Sequence, residues 1–400
     1  MTPRHRRPLT RRTLLAALGG AVVAAPAVAA LAPHALAETT GSKAAPKAAA
    51  GLPLTLVNNS GSFGNASVHV YVVGNADGRQ VRLTPDGTLA PVALSDNGPD
   101  GFADYAIALT GSGETRLSLP YMSGRIYVSL GAKLKFKVVA DGAGRPALQY
   151  PAGWVTSDPN YGVLHDCAEF TYNASGMFCN TTMVDMFSVP LSIRLTGAKD
   201  QTTGTLREGG RAAAFAAVRE VPEFEWLVVD NTRIIAPGHG LDAGLFAEDY
   251  FAPYIDEVWS TYTGKDLSVT TNAGTFTGRV RGERLSFTGP AEVSFGKPST
   301  RDVLFCDGAL AAPNDGTTGP VAAILGAGFN RSTLVGSAAQ PTTDPASFYR
   351  TGLTNHYAKA MHAAARDGKA YGFAFDDVAD FASYIQDTAP TGLRLTLTPF

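Results

Sequence analysis

The densest group of residues able to do chemistry lies at positions 166–190, DCAEFTYNASGMFCNTTMVDMFSVP. If this segment begins as a strand, Glu169, Thr171 and Asn173 share one face, because successive side chains in a strand point to opposite faces. Asp185 follows within an apolar run, where an ionised carboxylate is costly to bury without partners. Two carboxylates facing one groove suit glycosidic hydrolysis, in which one protonates the leaving oxygen and the other activates water.

The spacing of the two acids also predicts how they face each other. A hairpin centred on Met177 would set Glu169 opposite Asp185, with Cβ atoms ~4.5–5.5 Å apart. That distance favours a retaining pair, whose carboxyls are ~5–5.5 Å apart, over an inverting pair at ~6.5–9.5 Å. A splayed turn or a shifted register would widen the pair. On spacing alone, acids on a solvated strand face remain an alternative.

The elements that position these acids are mainly β. From residue 52 to about 195, short β-branched or aromatic runs alternate with turns every 8–12 residues, as in Leu54–Val57, Val68–Val73 and Arg125–Leu130. This pattern predicts an all-β sandwich or barrel. The strict alternation of Leu393–Thr398 predicts a half-buried strand that returns to it.

A mixed α/β region separates these β parts. Helices are predicted around 211–219, 250–259 and 353–366, with strand-like pieces between them, including Val303–Phe305. We therefore predict a β domain formed by residues 51–195 and 369–400, and an inserted α/β domain formed by residues 196–368.

The N-terminus has the pattern of an export signal. Arg11 and Arg12 precede an uncharged stretch from Leu14 to Ala32, and the small-x-small triplet Ala35–Ala37 follows. The twin arginine resembles a Tat signal. Pro26, the alanines and the triplet favour a cleaved signal (1–37) over a membrane anchor, followed by a linker (38–50). We expect the mature protein to be secreted and not bound to a membrane.

Charge and motifs exclude several function classes. Without the five arginines of residues 1–37, 28 Lys+Arg oppose 35 Asp+Glu, a net charge of −7. An acidic chain without a basic run is a poor candidate for nucleic acid. The glycine-rich run Gly238–Gly244 does not fit G-x-G-x-x-G and is predicted to be a plain loop. His356 and His362 are six apart, on opposite faces of a helix, which argues against a shared metal. No cofactor is implied.

Several motifs resemble those of glycoside hydrolase family 64, the laminaripentaose-producing β-1,3-glucanases. The matching stretches include LPLTLVNNSG, PAGWVTSDPNYGVLHDCAEFTYN, FCNTTMVD and YGFAFDDV, and they extend over most of residues 52–400. The resemblance implies a thaumatin-like β-barrel or sandwich domain plus a mixed α/β domain, flanking a wide cleft. It also implies that the protein acts on a β-1,3-glucan. The acidic net charge fits a neutral polymer of this kind, and we expect a monomer.

The resemblance implies roles for individual residues. Glu169 corresponds to the general acid and Asp185 to the general base of an inverting mechanism, so we expect a carboxyl separation in the inverting range. Thr171, Asn173 and Thr182 correspond to positions that contact sugar. Phe178 stands where the family is expected to carry a tryptophan.

Three questions stay open at the level of sequence. Asp376 and Asp377 either hold sugar in the cleft or fix the final turn by hydrogen bonds. Cys167, Cys179 and Cys306 are buried thiols unless the first two form a bridge. A non-catalytic thaumatin-like glucan-binding protein acting on fungal walls is the rival to the enzyme.

Overall fold

The last strand of the chain lies beside the first. A computed structural model describes residues 51–400; the predicted signal and linker lie outside the described residues. Strand β1 (Leu52–Asn58) pairs in parallel with β23 (Gly392–Leu397), and β23 pairs in antiparallel fashion with β13 (Leu191–Thr196). Both ends of the described chain therefore meet in one sheet.

The described residues form 23 strands, named β1–β23 in chain order. Their bounds are β1 Leu52–Asn58, β2 Val68–Ala76, β3 Arg79–Leu83, β4 Leu89–Pro91, β5 Ile107–Ala108, β6 Thr115–Leu119, β7 Met122–Leu130, β8 Lys137–Ala140, β9 Pro146–Gln149, β10 Leu164–Asn173, β11 Gly176–Asn180, β12 Met186–Phe187, β13 Leu191–Thr196, β14 Asp200–Thr203, β15 Val228–Val229, β16 Arg233–Ile235, β17 Leu267–Thr271, β18 Gly274–Arg281, β19 Arg284–Thr288, β20 Val293–Gly296, β21 Ala339–Gln340, β22 Tyr384–Asp387 and β23 Gly392–Leu397.

The same residues form six α-helices. Their bounds are α1 Gly210–Arg219, α2 Pro237–Asp242, α3 Ala252–Gly264, α4 Thr300–Phe305, α5 Gly319–Asn330 and α6 His356–Ala364. No helix among residues 51–400 has both the length and the apolar composition needed to cross a bilayer.

Two large sheets share one hydrophobic core. The five-stranded sheet has the order β14-β13-β23-β1-β6, and the eight-stranded sheet has the order β22-β11-β10-β7-β2-β3-β4, with β5 also on β2. Buried residues of both sheets, such as Leu54, Leu395, Ile126 and Phe170, belong to the same cluster. The fold is mainly β, and within the described range the sheets are open, so the barrel alternative is wrong and packed sheets take its place.

A separate core lies under the helices. It is built from aromatic and aliphatic side chains between Met183 and Ala370, including Phe251, Trp259 and Phe329. A mixed five-stranded sheet with the order β20-β19-β18-β17-β21 contributes to this core. The small sheet β12-β16-β15 contributes Phe187 and Ile234.

The outer face of the eight-stranded sheet changes from apolar to polar along β10. Cys167 belongs to an apolar cluster with Tyr71, Tyr127 and Phe136. Glu169 is the next residue on the same face, because side chains alternate along a strand. The polar half of this face is where the predicted site residues of β10 lie.

Two local predictions are wrong for reasons of capping and packing. Val303–Phe305 was expected as a strand but forms part of helix α4, because the Ser299 side chain accepts from the Asp302 backbone N–H and Asp302 caps the Ser299 N–H in return. The run Gly238–Gly244 was expected as a plain loop, but its first five residues lie in helix α2, which begins at Pro237.

Candidate active site

Glu169 lies in the middle of the eight-stranded sheet, on β10, between β7 and β11. Its direct neighbours on those strands are Arg125 and Asn180. Oε1 accepts from Nε of Arg125 at 3.0 Å and lies 2.8 Å from Nη2 of the same guanidinium. Oε2 accepts from Nδ2 of Asn180 at 3.3 Å. Glu169 therefore has a partner on each neighbouring strand. Its side chain is 16% exposed, so it also remains accessible to solvent.

Asp185 does not lie opposite Glu169 in a hairpin, and that prediction is wrong. The β10–β11 hairpin turns at Ala174 and Ser175, where the Asn173 side chain accepts from the Ser175 N–H at 2.8 Å. Because the turn comes this early, Asn180 pairs with Glu169, and β11 ends there, five residues before Asp185. Asp185 instead stands in a bend directly before β12, and its backbone carbonyl accepts from the Ala236 N–H at 3.0 Å.

Arg125 brings the two acids to one site. Its Nη1 lies 3.5 Å from Oδ2 of Asp185, while Nε and Nη2 contact Glu169. Its side chain is 13% exposed, and Nη1 also donates to the Tyr127 hydroxyl at 3.3 Å. The guanidinium therefore contacts two carboxylates, one on β10 and the other in the bend before β12.

A second partner holds Asp185 from the helical side. His239 on α2 lies with Nε2 2.8 Å from Oδ1 of Asp185, and its ring stacks on Trp154 with centroids 4.4 Å apart. Burial opposes the charged form of Asp185 and is the largest single influence. The His239 hydrogen bond and the Arg125 charge together outweigh it, so the pKa of Asp185 lies below its ordinary value.

The predicted sugar contacts of β10 and β11 lie in one row on the same sheet face. Thr171 stands opposite Ser123 of β7 and Phe178 of β11, and its hydroxyl is 2.7 Å from that of Ser123. Phe178 stands opposite Gln386 of β22 and is half-buried. Asn173 is half-buried too, one pair further toward the turn.

Thr182 lies deeper than that row. It is buried, forms an isolated parallel bridge with Tyr371, and lines a small pocket together with Arg125, Trp154 and Asp185. Thr182 therefore lies beside Asp185 and apart from the exposed sheet face.

The adjacent acids Asp376 and Asp377 have opposite environments. Asp376 is fully buried, with Oδ1 3.0 Å from Arg331 Nη2 and Oδ2 2.9 Å from both His362 Nε2 and the Gly372 N–H. Asp377 is exposed. Burial raises the pKa of the Tyr371 phenol, and the charges of Asp377 and Glu169 raise it further, so Tyr371 lies within electrostatic range of both acids.

The three cysteines are free and buried. Cys167 shares the face of Glu169, whereas Cys179 pairs with Phe170 and points to the opposite face. The sheet therefore separates the two thiols, and the open alternative of a Cys167–Cys179 bridge does not occur. Within residues 51–400, no group of three or more acidic, histidine or cysteine side chains is arranged to hold a metal ion.

Four residues of the site were missed by sequence reasoning: Arg125, Trp154, Asp166 and His239. Arg125 was visible inside a predicted strand, and a charge in an apolar strand was the signal. His239 lies between glycines in a run that was dismissed as a loop. Asp166, beside Cys167 on β10, is buried and accepts from the N–H groups of Cys167, Ser188 and Val189.

Comparisons with known proteins define the class. The sequence model of glycoside hydrolase family 64, described as β-1,3-glucanase, matches residues 50–397. A glucan endo-1,3-beta-glucosidase of Arthrobacter sp. (strain YCWD3) is 35% identical over 375 residues, 89% of this chain and 67% of that protein.

Solved structures agree with the sequence relatives. A laminaripentaose-producing β-1,3-glucanase in complex with laminaritetraose matches with a TM-score of 0.79 at 36% identity, over 88% of this chain and 99% of that one. A family 64 domain from Clostridium beijerinckii matches with a TM-score of 0.76 at 30% identity, over 88% and 100%. These matches are to glycoside hydrolases. The chain belongs to glycoside hydrolase family 64, the β-1,3-glucanases, which confirms the resemblance seen in the motifs.

Proposed function

We propose that the protein is a secreted endo-β-1,3-glucanase that cleaves laminarin- or curdlan-like glucan to short oligosaccharides with inversion. Glu169 is the general acid and Asp185 the general base. The observation that carries the proposal is the contact of one guanidinium, that of Arg125, with both carboxylates. Family membership supports the substrate class, and one similar structure holds laminaritetraose.

Asp185 has the environment that a base requires. A base must be ionised before the water arrives, and the His239 hydrogen bond with the Arg125 charge lowers the pKa of Asp185. In the reaction, Asp185 takes a proton from a water whose oxygen bonds to the anomeric carbon. The bond from that carbon to the glycosidic oxygen breaks at the same time.

Glu169 has a distinct place for the acid proton. Oε1 faces Arg125, which stabilises negative charge, so the proton belongs on Oε2, beside Asn180. The Asn180 amide can serve both forms of the acid: Nδ2 donates to a carboxylate, and Oδ1, which has no protein partner, would accept from a carboxylic acid after half a turn of the amide. The proton then passes from Oε2 to the leaving glycosidic oxygen.

The position of Arg125 supports inversion. An inverting pair needs room for a water beside the sugar, with carboxyls ~6.5–9.5 Å apart. A guanidinium that contacts Glu169 on one edge and Asp185 on another holds the two acids apart. A retaining pair would need them closer, at ~5–5.5 Å.

The polar sheet face is assigned to the glucan. Thr171, Asn173 and Phe178 line it, Thr182 stands beside the base, and the exposed Asp377 offers a carboxylate to sugar hydroxyls. We assign Asp376 to the final turn, because burial removes it from any ligand.

The organisation of the chain is part of the proposal. Residues 51–195 and 369–400, which hold every strand of the two large sheets except β14, form the thaumatin-like part. Residues 196–368 form the inserted domain across a wide cleft. Export through a twin-arginine signal, and a monomeric enzyme without metal or cofactor, complete the proposal. The rival, a glucan-binding protein without activity, is disfavoured by the ordered acid–arginine–acid arrangement.

A reducing-sugar assay on soluble laminarin tests the proposal. The wild-type protein should release reducing ends, whereas the rival would bind glucan and release none. Glu169→Gln and Asp185→Asn should each lower kcat by ~10²–10⁴-fold, because an amide can neither donate the proton nor accept it. Asp256→Asn is the matched control, an exposed acid on α3 paired with Lys297. Activity within a few-fold of wild type in either site variant would remove that residue from the mechanism.

The stereochemistry is tested separately by proton NMR of the first product. Inversion at a β-linked glucan produces an α-anomer before mutarotation. A newly formed β-anomer would exclude Asp185 as the base while leaving the glucanase activity itself intact.

A further inference from the structure

The segment Gly238-His239-Gly240 packs so closely that its central side chain has a fixed position. A Cβ on Gly238 would lie 2.9 Å from the ring of Phe305, and one on Gly240 would lie 2.1 Å from the side chain of Leu227. A residue larger than glycine at either position would force the Phe305 or the Leu227 side chain to move. The two glycines therefore let the backbone that carries His239 approach the core closely.

The His239 ring is held on three sides. Trp154 stacks on it with an interplanar angle of 20°, and Phe305 meets it edge-on with centroids 5.6 Å apart. The third contact is the 2.8 Å hydrogen bond between Nε2 and Oδ1 of Asp185. Asp185 is an acceptor, so Nε2 carries the proton in the neutral ring.

This arrangement makes the two oxygens of Asp185 unequal. Oδ1 has a short contact with His239, whereas Oδ2 has only the 3.5 Å contact with Arg125. The helix and the bend are also tied by the hydrogen bond from the Ala236 N–H to the Asp185 carbonyl. The carboxylate is thus fixed in rotation, and Oδ2 is the oxygen left for a new ligand.

We propose that His239, backed by Trp154, is a positioning residue for the base: its Nε2–H fixes Oδ1 of Asp185 and leaves Oδ2 to accept the proton of the attacking water. The inference rests on the proposed function and deepens it. It gives the helical side of the site a direct part in orienting the base, which the two carboxylates alone do not require.

Other groups also act on Asp185, and each must be considered in a pH experiment. The groups that face it from the neighbouring elements are Arg125, Tyr127, His165, Asp166, Cys167, Glu169 and Tyr357. Burial keeps Tyr127, Cys167 and Tyr357 neutral by raising their pKa values. Burial lowers the pKa of His165 to about 3 and raises that of Asp166 to about 7. All of them are unchanged between His239 variants, so their contributions cancel in a comparison.

The test is the pH dependence of kcat/KM on laminarin for His239→Leu and His239→Gln. Leucine removes the hydrogen-bond donor to Asp185, and a hydrogen bond to a charged group is worth ~1.5–3 kcal/mol. The acid limb of the kcat/KM profile should therefore move up by about one to two pH units. kcat should fall about 10–100-fold with KM little changed. Glutamine places an N–H near the position of Nε2 and should restore both the limb and most of kcat.

Two further variants make the result decisive. His356→Leu removes a histidine of α6 that contacts Phe224 and the Gly352 carbonyl, and it should leave the acid limb in place. If His239→Leu does not fold, His239→Asn takes its place, because asparagine is too short to reach Asp185. Asparagine should then shift the limb and glutamine should not.

The outcomes separate the inference from the proposed function. An acid limb that is the same in wild type, leucine (or asparagine) and glutamine variants overturns the role of His239. If Asp185→Asn is inactive in that case, the proposed base still stands. If Asp185→Asn keeps wild-type activity, the proposed function is what fails.

Discussion

At the residue scale, the types and spacing of the residues identified the two acids but not the side chains that contact them. Glu169 and Asp185 stand out in sequence because they interrupt β-like segments. Arg125 and His239 lie 44 positions before Glu169 and 54 positions after Asp185, respectively. Contacts across such separations are set by strand pairing and helix packing, which a local pattern cannot reveal.

Phe178 provides a prediction at this scale. It belongs to none of the hydrophobic clusters of the described residues and faces the polar row of Thr171 and Gln386. Phe178→Ala should therefore raise KM for laminari-oligosaccharides by roughly 2–10-fold, the ~0.5–1.5 kcal/mol of an aromatic contact, with little change in Tm. Phe178→Trp should keep or improve KM. A large loss of Tm with unchanged KM would instead show that Phe178 is part of the core.

At the element scale, strand identity was predictable and strand pairing was not. The β-branched or aromatic runs of β1, β2 and β7, each bounded by turn residues, were sufficient to locate these strands. The prediction that Asp185 pairs with Glu169 across a hairpin was wrong, because the actual turn at Ala174 and Ser175 depends on an Asn173 side-chain contact. Helix α5 carries three glycines and is buried on nearly all sides, so it offers no amphipathic pattern.

The loop that follows α6 allows a paired experiment on adjacent acids. Asp376 is the buried partner of Arg331, which also lies over the ring of Phe348 and has 2% of its side chain exposed. Asp376→Asn should lower stability by about 3–5 kcal/mol, because it leaves a buried guanidinium without its counter-charge. Urea unfolding measures this loss.

Asp377→Asn is the matched control for that loss and a prediction of its own. Asp377 is exposed, so its replacement should change stability by no more than ~0.5 kcal/mol. Because the charges of Asp377 and Glu169 both act on Tyr371, we expect Asp377 to lie near the proposed glucan site, so the same change should raise KM for laminarin. Equal stability in the two variants would contradict the structural role of Asp376.

At the scale of the whole molecule, the order of β-like and helix-like segments along the chain predicted a mainly β fold in which the last strand returns to the first β region. It could not predict that β23 would enter between β1 and β13, because parallel pairing over such a separation leaves no local signal. The acidic charge of the chain outside residues 1–37 agrees with a neutral polymer as substrate.

Two neighbouring residues on β10 make the free energy of unfolding depend on pH in opposite directions. Asp166 joins β10 to the segment after β12 through the Ser188 and Val189 N–H groups, and burial raises its pKa to about 7. His165 is buried beside it, and burial with the charge of Arg233 lowers its pKa to about 3. Between the ordinary and the folded pKa values, the folded state keeps a proton on Asp166 that the unfolded chain loses, and lacks a proton on His165 that the unfolded chain binds.

The sign of each effect follows from this proton count. Stability from Asp166 is present at acid pH and is lost as pH rises from about 4 to about 7; stability from His165 is lost as pH falls below about 6.5. The two slopes, each up to ~1.4 kcal/mol per pH unit, oppose each other in wild type.

Asp166→Asn removes one of them. The free energy of unfolding of wild type minus that of the variant, from urea unfolding between pH 4.5 and 7, should therefore fall steadily with pH. His165→Gln should give a difference that rises with pH over the same range. A difference that does not change with pH for Asp166→Asn would mean that Asp166 stays ionised throughout and that its three backbone N–H contacts outweigh its burial.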